Sequence, residues 1–89
     1  MNPDKIKQDW NSSGYSFGVF RDPPGRVWTD FVHSTDELVV LAEGELEIEI
    51  EGEGVLPQIG EEVSIPANAV HTVRGVRRTP NDWYYGYKF

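Results

Sequence analysis

Two histidines and one glutamate hold most of the chemical promise of this sequence. His33 and Glu37 bracket Ser34, Thr35 and Asp36, between Phe31-Val32 and the apolar run LVVL, while His71 follows the irregular stretch PANAV. Along a single extended strand, His33 and Glu37 would stand roughly 13 Å apart, too far to share one ion. Ser, Thr and Asp are turn formers, however, and a three-residue hairpin at 34–36 would make the pair facing neighbours with Cβ atoms about 5 Å apart. With His71 brought in from another strand, two imidazoles and a carboxylate form a set that suits Fe(II), Mn(II), Ni(II) or Zn(II), with positions left for water or substrate. Affinity for such an ion is expected to fall as pH drops through the histidine range. The plainer alternative for His33 and Glu37 is a hydrogen-bonded pair that closes the hairpin without metal. For His71 it is a partly exposed residue at a strand end. Burying either member of the pair alone costs a few kcal/mol, so a partner is needed in both cases.

The elements that must position these groups are mostly short strands. One helix is predicted, capped by Asn2 with Pro3 in its first turn and DKIKQDW behind it. From Gly14 onward, short runs alternate with Gly, Pro, Asn and Asp. Tyr15, Phe17 and Val19 alternate, RDPPG turns the chain, and Val27, Thr29, Phe31 and His33 share one strand face. LVVLAE is of the buried-strand type. In ELEIEIEGEG, Leu46, Ile48 and Ile50 point inward while Glu45, Glu47, Glu49 and Glu51 face water. Val63 and Ile65 alternate before PANA breaks the strand, and His71 and Val73 share a face. The tail alternates again, with Trp83, Tyr85, Tyr87 and Phe89 opposite Tyr84, Gly86 and Lys88. Many short strands punctuated by turns predict an all-β sandwich or barrel.

The chain has 89 residues, enough for a single domain over 1–89 with a modest core, which a homodimer would help to bury. No cysteine is present, which excludes a disulfide framework, thiolate metal sites and thiol nucleophiles. The first twenty residues contain no continuous apolar segment, so neither a signal peptide nor a membrane span is expected, and a cytoplasmic location follows. A net charge of −7 disfavours nucleic acid and anionic lipid as partners. Arg74, Arg77 and Arg78 form the one basic cluster, read as charge that protects an edge strand. Arg26 and Arg74 are read as rim charges rather than anchors for an anionic substrate. No nucleophile turn and no phosphate-binding glycine loop is evident; Gly52, Gly54 and Gly60 read as turns.

In spacing the chain resembles the cupin family. The first cupin motif reads Gly25, RVWTD, Phe31-Val-His33, STD, Glu37, LVVLAE, Gly44; the second reads Gly60, EEVSI, Pro66-Ala-Asn68, AV, His71, TVR, Gly75. The fifteen residues between them match the short inter-motif segment of minimal cupins. The resemblance, over motifs at 25–44 and 60–75, implies a jelly-roll (double-stranded β-helix) barrel with a short N-terminal helix or extension. Asn68 stands where the family has glycine, a swap its tolerance of positive φ allows. Gly75 replaces a non-ligand Asn. Phe31 replaces a metal-binding histidine, so the resemblance implies three ligands, His33, Glu37 and His71, instead of four.

The resemblance implies a divalent transition metal (Zn, Fe, Mn or Ni) and a small-molecule ligand inside the barrel. It leaves the reaction unassigned, among dioxygenases, isomerases and epimerases. Glu37 is the candidate proton-transfer group, and Phe31, Trp28, Val73 and Tyr85 are candidate pocket-lining residues. Trp28, Trp83, Tyr85 and Tyr87 read more readily as core or dimer-interface rings. The alternative function is a non-catalytic binding or interaction module with a metal-free apolar barrel, for which Phe31 is the support. A sugar-binding or sensing module is a third expectation.

Overall fold

Asn2 opens the helix α1 (Pro3–Ser12), as the sequence led us to expect. Its Oδ1 accepts from the backbone N–H groups of Asp4 and Lys5 at 3.0 and 3.3 Å, and Pro3 occupies the first turn, where an N–H would have no helical partner. The computed structural model describes residues 2–23, 27–76 and 80–89, with the backbone alone for 28–30. The RDPPG turn beyond Pro23, Gly25, Arg26, Arg77 and Arg78 lie outside the described residues, as does the Trp28 side chain.

Eight strands follow among the described residues: β1 (Gly18–Asp22), β2 (Val27–Phe31), β3 (Glu37–Glu43), β4 (Leu46–Ile50), β5 (Glu53–Val55), β6 (Glu62–Ile65), β7 (His71–Gly75) and β8 (Asn81–Tyr87). They form two antiparallel four-stranded sheets, ordered β1-β8-β3-β6 and β2-β7-β4-β5. Apart from β4 and β5, successive strands alternate between the sheets, the arrangement of an eight-stranded jelly roll.

The inner faces supply the main core. Val39 and Leu41 of β3 and Ile65 of β6 meet Leu46 and Ile48 of β4, Val73 of β7 and Ala69. β3 is buried on both faces, which is why LVVL reads as an unbroken apolar run. Its outward residues Leu38 and Val40 pack under α1 with Trp10, Ile6, Tyr15, Phe17 and Tyr84. Trp10 Nε1 donates to Glu62 Oε1 at 2.8 Å and pins the helix to β6. Gly86 leaves room for that indole: a Cβ there would lie 2.8 Å from Trp10 Cε3 and would also strike the Ser16 carbonyl. Tyr15 and Phe17 therefore serve the helix-side cluster, and Val19 is exposed. Among the described residues no helix is long and apolar enough to cross a membrane.

Two expectations need correction. The three-residue hairpin at 34–36 does not form: β2 pairs with β7, β3 pairs with β6 and β8, and residues 32–36 cross from one sheet to the other. Side-chain and backbone bonds to other elements hold this crossover. Asp36 Oδ1 accepts from the Ala67 N–H at 2.8 Å, the Asp36 carbonyl from Lys88 N–H at 2.9 Å, and the His33 carbonyl from Asn68 N–H at 2.7 Å. Thr35 Oγ1 donates to the Lys88 carbonyl at 2.6 Å. Arg74, secondly, is no edge-strand charge. Its strand β7 lies inside its sheet, and its guanidinium reaches Glu47 at 2.8 Å and Glu49 at 2.9 Å on β4. Those glutamates are half-buried by the pairing rather than freely solvated.

Candidate functional site

Three strand ends bring the chemistry together. β2 runs into His33 through the crossover, β3 begins at Glu37, and β7 begins at His71, which lies in register with Phe31 on β2 and Ile50 on β4. His71 and Glu37 are buried, 3% and 5% exposed in their side chains, while His33 is 29% exposed at the mouth. The plainer expectation for His71, a partly exposed strand end, therefore does not hold. PANAV packs Ala69 into the core, and the next strand starts already inside the barrel. Asn68 takes φ 66°, the left-handed conformation its side chain tolerates, so the turn delivers His71 inward.

His71 Nε2 lies 3.4 Å and His33 Nε2 3.7 Å from Glu37 Oε1. One donor atom from each of the three residues lies within 4.8 Å of the others. His71 Nδ1 sits 3.1 Å from the Ala69 carbonyl, which can only accept a proton from it, so in the neutral imidazole the Nε2 lone pair is the one directed at Glu37. Two acceptors then face each other across 3.4 Å, and the buried Glu37 Oε1 has no hydrogen-bond partner among the described residues. Such a contact needs a proton or a cation between its members.

The electrostatics agree. Burial pushes the Glu37 carboxyl from its ordinary 4.5 up to about 7, against a lowering hydrogen bond from Tyr87. Burial, then the neighbouring His71 imidazole, lowers His33 below its usual value. Tyr87 is pushed up to about 12, chiefly by burial and then by Glu37 and Tyr85. At neutral pH, Glu37 thus stands near the midpoint of its titration. Two donors about 2.1 Å from a shared ion stand about 3.0–3.4 Å apart in octahedral or tetrahedral geometry. The observed 3.4 Å lies at the upper limit of that range and 3.7 Å just beyond it, so a bound ion would draw the three groups slightly together, and the oxygen without a partner is the one both imidazoles approach. The three residues fit a divalent transition ion.

The group lines a cavity of about 230 Å³ between the sheets. Phe31, Val73 and Tyr85 line it. Trp83 and Tyr87, read more readily as core or interface rings, stand on its wall as well, because their parity on β8 turns them inward while Tyr84 and Gly86 face the helix. Phe20, Val39 and Ile65 complete the lining and went unrecognised. Their signal was strand parity: Phe20 lies opposite Trp83 in the β1–β8 register, and Val39 lies opposite Tyr85 and Val63. Phe31 lies beside both histidines, stacked on His33 with ring centroids 6.0 Å apart and tilted to His71 at 6.1 Å.

No family model and no curated protein matches the chain. Solved structures do. The Cupin_2 domain of an XRE family transcriptional regulator from Enterobacter cloacae superposes with a TM-score of 0.76 at 22% identity, over 90% of this chain and 87% of that one. The Schizosaccharomyces pombe Cnp3 cupin domain gives 0.77 at 12% identity, over 84% and 56%. The chain has the cupin fold. A third cupin-fold neighbour, the salicylate 1,2-dioxygenase from Pseudoaminobacter salicylatoxidans, gives 0.78 at 20% identity, over 84% of this chain and 22% of that one. The chain thus spans only a part of some of its neighbours. In the cupin fold seen here, the sequence register that resembled cupin motifs and the spatial group at the barrel mouth coincide at His33, Glu37 and His71.

Proposed function

We propose that this domain, spanning 1–89, holds a divalent transition metal ion on His33, Glu37 and His71 and presents it to a small molecule in the barrel. The observation that carries this reading is the buried Glu37 Oε1, without a hydrogen-bond partner among the described residues and 3.4 Å from the Nε2 of His71. A bound Zn, Fe, Mn or Ni ion would act as a Lewis acid toward an oxygen donor of the ligand. The chain's own residues do the rest. The Ala69 carbonyl fixes the His71 tautomer, and Tyr87 holds the Glu37 carboxyl through its hydroxyl. Phe31 excludes water from the side where another imidazole would otherwise stand. Glu37, with its titration near neutrality, is the group able to take up or release a proton beside a ligand. The reaction is left open. A homodimer in the cytoplasm belongs to the same proposal, supported by apolar side chains such as Leu56 and Phe89, 63% and 83% exposed.

The second reading, a metal-free binding module, draws on the same geometry: a proton shared between Glu37 and His71 also relieves the contact, and the lining is largely apolar. Metal content separates the two. The untagged protein is purified and its transition metals measured by plasma mass spectrometry. Stoichiometric metal that disappears in His33→Ala and His71→Ala supports the ion; a metal-free protein that takes up none on incubation with Zn, Fe, Mn or Ni supports the module.

A further inference from the structure

The cavity wall that leads to His33 is built of aromatic rings. Aromatic rings follow one another without a break: Phe20 to Trp83 at 5.6 Å between centroids, Trp83 to Tyr85 at 5.8 Å, Tyr85 to Tyr87 at 5.9 Å, and Tyr87 to His33 at 4.9 Å. All are tilted or edge-on to their neighbours, so faces and edges alternate along the wall. Among the described residues no lysine or arginine lines the cavity; His33, Glu37 and His71 join the hydroxyls of Tyr85 and Tyr87, and the rest of the lining is aromatic or aliphatic. A ligand therefore meets rings and aliphatic side chains along its body and finds few polar partners outside the His33, Glu37 and His71 group. Any negative charge it carries has to be met beside the histidines.

Size narrows the class. An apolar cavity of about 150 Å³ holds benzene, and a water-sized group occupies about 30 Å³. The cavity here is about 230 Å³, a ring with two or three further heavy atoms. We infer that it accepts a flat, single-ring aromatic ligand bearing one or two oxygen donors, its ring against Tyr85 and Trp83 and its oxygens toward His33, Glu37 and His71. The direction of the oxygens rests on the ion proposed above; the preference for a flat ring does not. Each ring contact favours an aromatic body over a saturated one by a few-fold to roughly tenfold.

Matched pairs test this by calorimetric titration of the whole chain. Benzoate is set against cyclohexanecarboxylate on the zinc-loaded protein, and phenol against cyclohexanol on the metal-free protein. The aromatic member binds at least tenfold more tightly in each pair. Tyr85→Leu reduces the preference below threefold while zinc content stays at the wild-type level. Gly18→Ala provides a second route to the same ring, since its Cβ would stand 2.5 Å from Tyr85 Cζ and force the ring to shift. Equal binding of the saturated members, failure of both phenol and cyclohexanol to bind, or an undiminished preference in folded Tyr85→Leu and Gly18→Ala would overturn the inference. Loss of the ion reading is recorded separately, by metal content, because the phenol arm needs no ion.

Discussion

Glu37→Gln removes the carboxylate that the fold buries between His33 and His71, and its effect on stability can be worked from the structure. In the unfolded chain Glu37 titrates near 4.5; in the metal-free fold burial raises it to about 7. Between those values the folded protein keeps a proton that the unfolded chain has released, so stability falls as pH rises through that window. Each pH unit is worth about 1.4 kcal/mol, which makes the loss about 3 kcal/mol by pH 8. The residue is 4% exposed, so solvent screening takes little from that figure. The substituted amide has no such proton to lose. Urea denaturation with a chelator present is therefore expected to find the two proteins alike near pH 4.5 and the variant about 3 kcal/mol more stable at pH 8. In a thermal melt the gap exceeds about 10 °C for a domain of this size. Excess zinc at a hundredfold over its Kd stabilises the wild type by about 2.7 kcal/mol and nearly closes the gap. A stability difference between wild type and variant that stays constant from pH 4.5 to pH 8 would refute the buried, proton-holding carboxyl.

Three further substitutions address separate features. Phe31→His adds an imidazole where the ring centroid lies 6.0 and 6.1 Å from His33 and His71, and is expected to tighten zinc at least tenfold in chelator competition. Gly86→Ala drives a Cβ against Trp10 and the Ser16 carbonyl, and should cost about 1–3 kcal/mol in urea denaturation, with intrinsic fluorescence reporting the displaced Trp10. Asn68→Ala forces an alanine to φ 66°, at a cost of about 1–2 kcal/mol, while Asn68→Gly remains close to wild type.

Much of the fold was legible because its signals are local. The Asn2 cap, the period-two run that becomes β4 and the aromatic alternation of β8 each depend on neighbours within a few residues. The hairpin at 34–36 was not legible in the same way. Turn formers between two apolar runs mark a change of direction, but whether the strands then pair or part into different sheets is decided by remote partners. Here those partners are Ala67, Asn68 and Lys88, which take up the polar groups of the crossover. The three candidate ligands nevertheless come together, because the crossover and a hairpin both return Glu37 to the neighbourhood of His33. Arg74 was misjudged for a related reason: edge or interior is a property of sheet order, which no local pattern carries. Phe20, Val39 and Ile65 escaped notice because aliphatic and isolated aromatic residues read as core, and the boundary between core and cavity wall is set only when the sheets close.

On the proposed reading, proton and ion compete for the same Glu37 oxygen. On residue types alone, metal affinity should weaken through the titration of a histidine. In the fold, His33 is lowered by burial and then by His71, whereas Glu37 takes up its proton at about 7. Ion binding is therefore expected to require removal of a proton from Glu37 below neutrality. Log affinity for zinc, corrected for the chelator's own protonation, is expected to rise by about one decade per pH unit from 6 to 7 and to level off by pH 8. In Glu37→Gln the residual affinity loses that slope. A wild-type slope that begins only below pH 6, or one that survives in Glu37→Gln, would assign the competing proton to an imidazole and remove Glu37 from the ligand set.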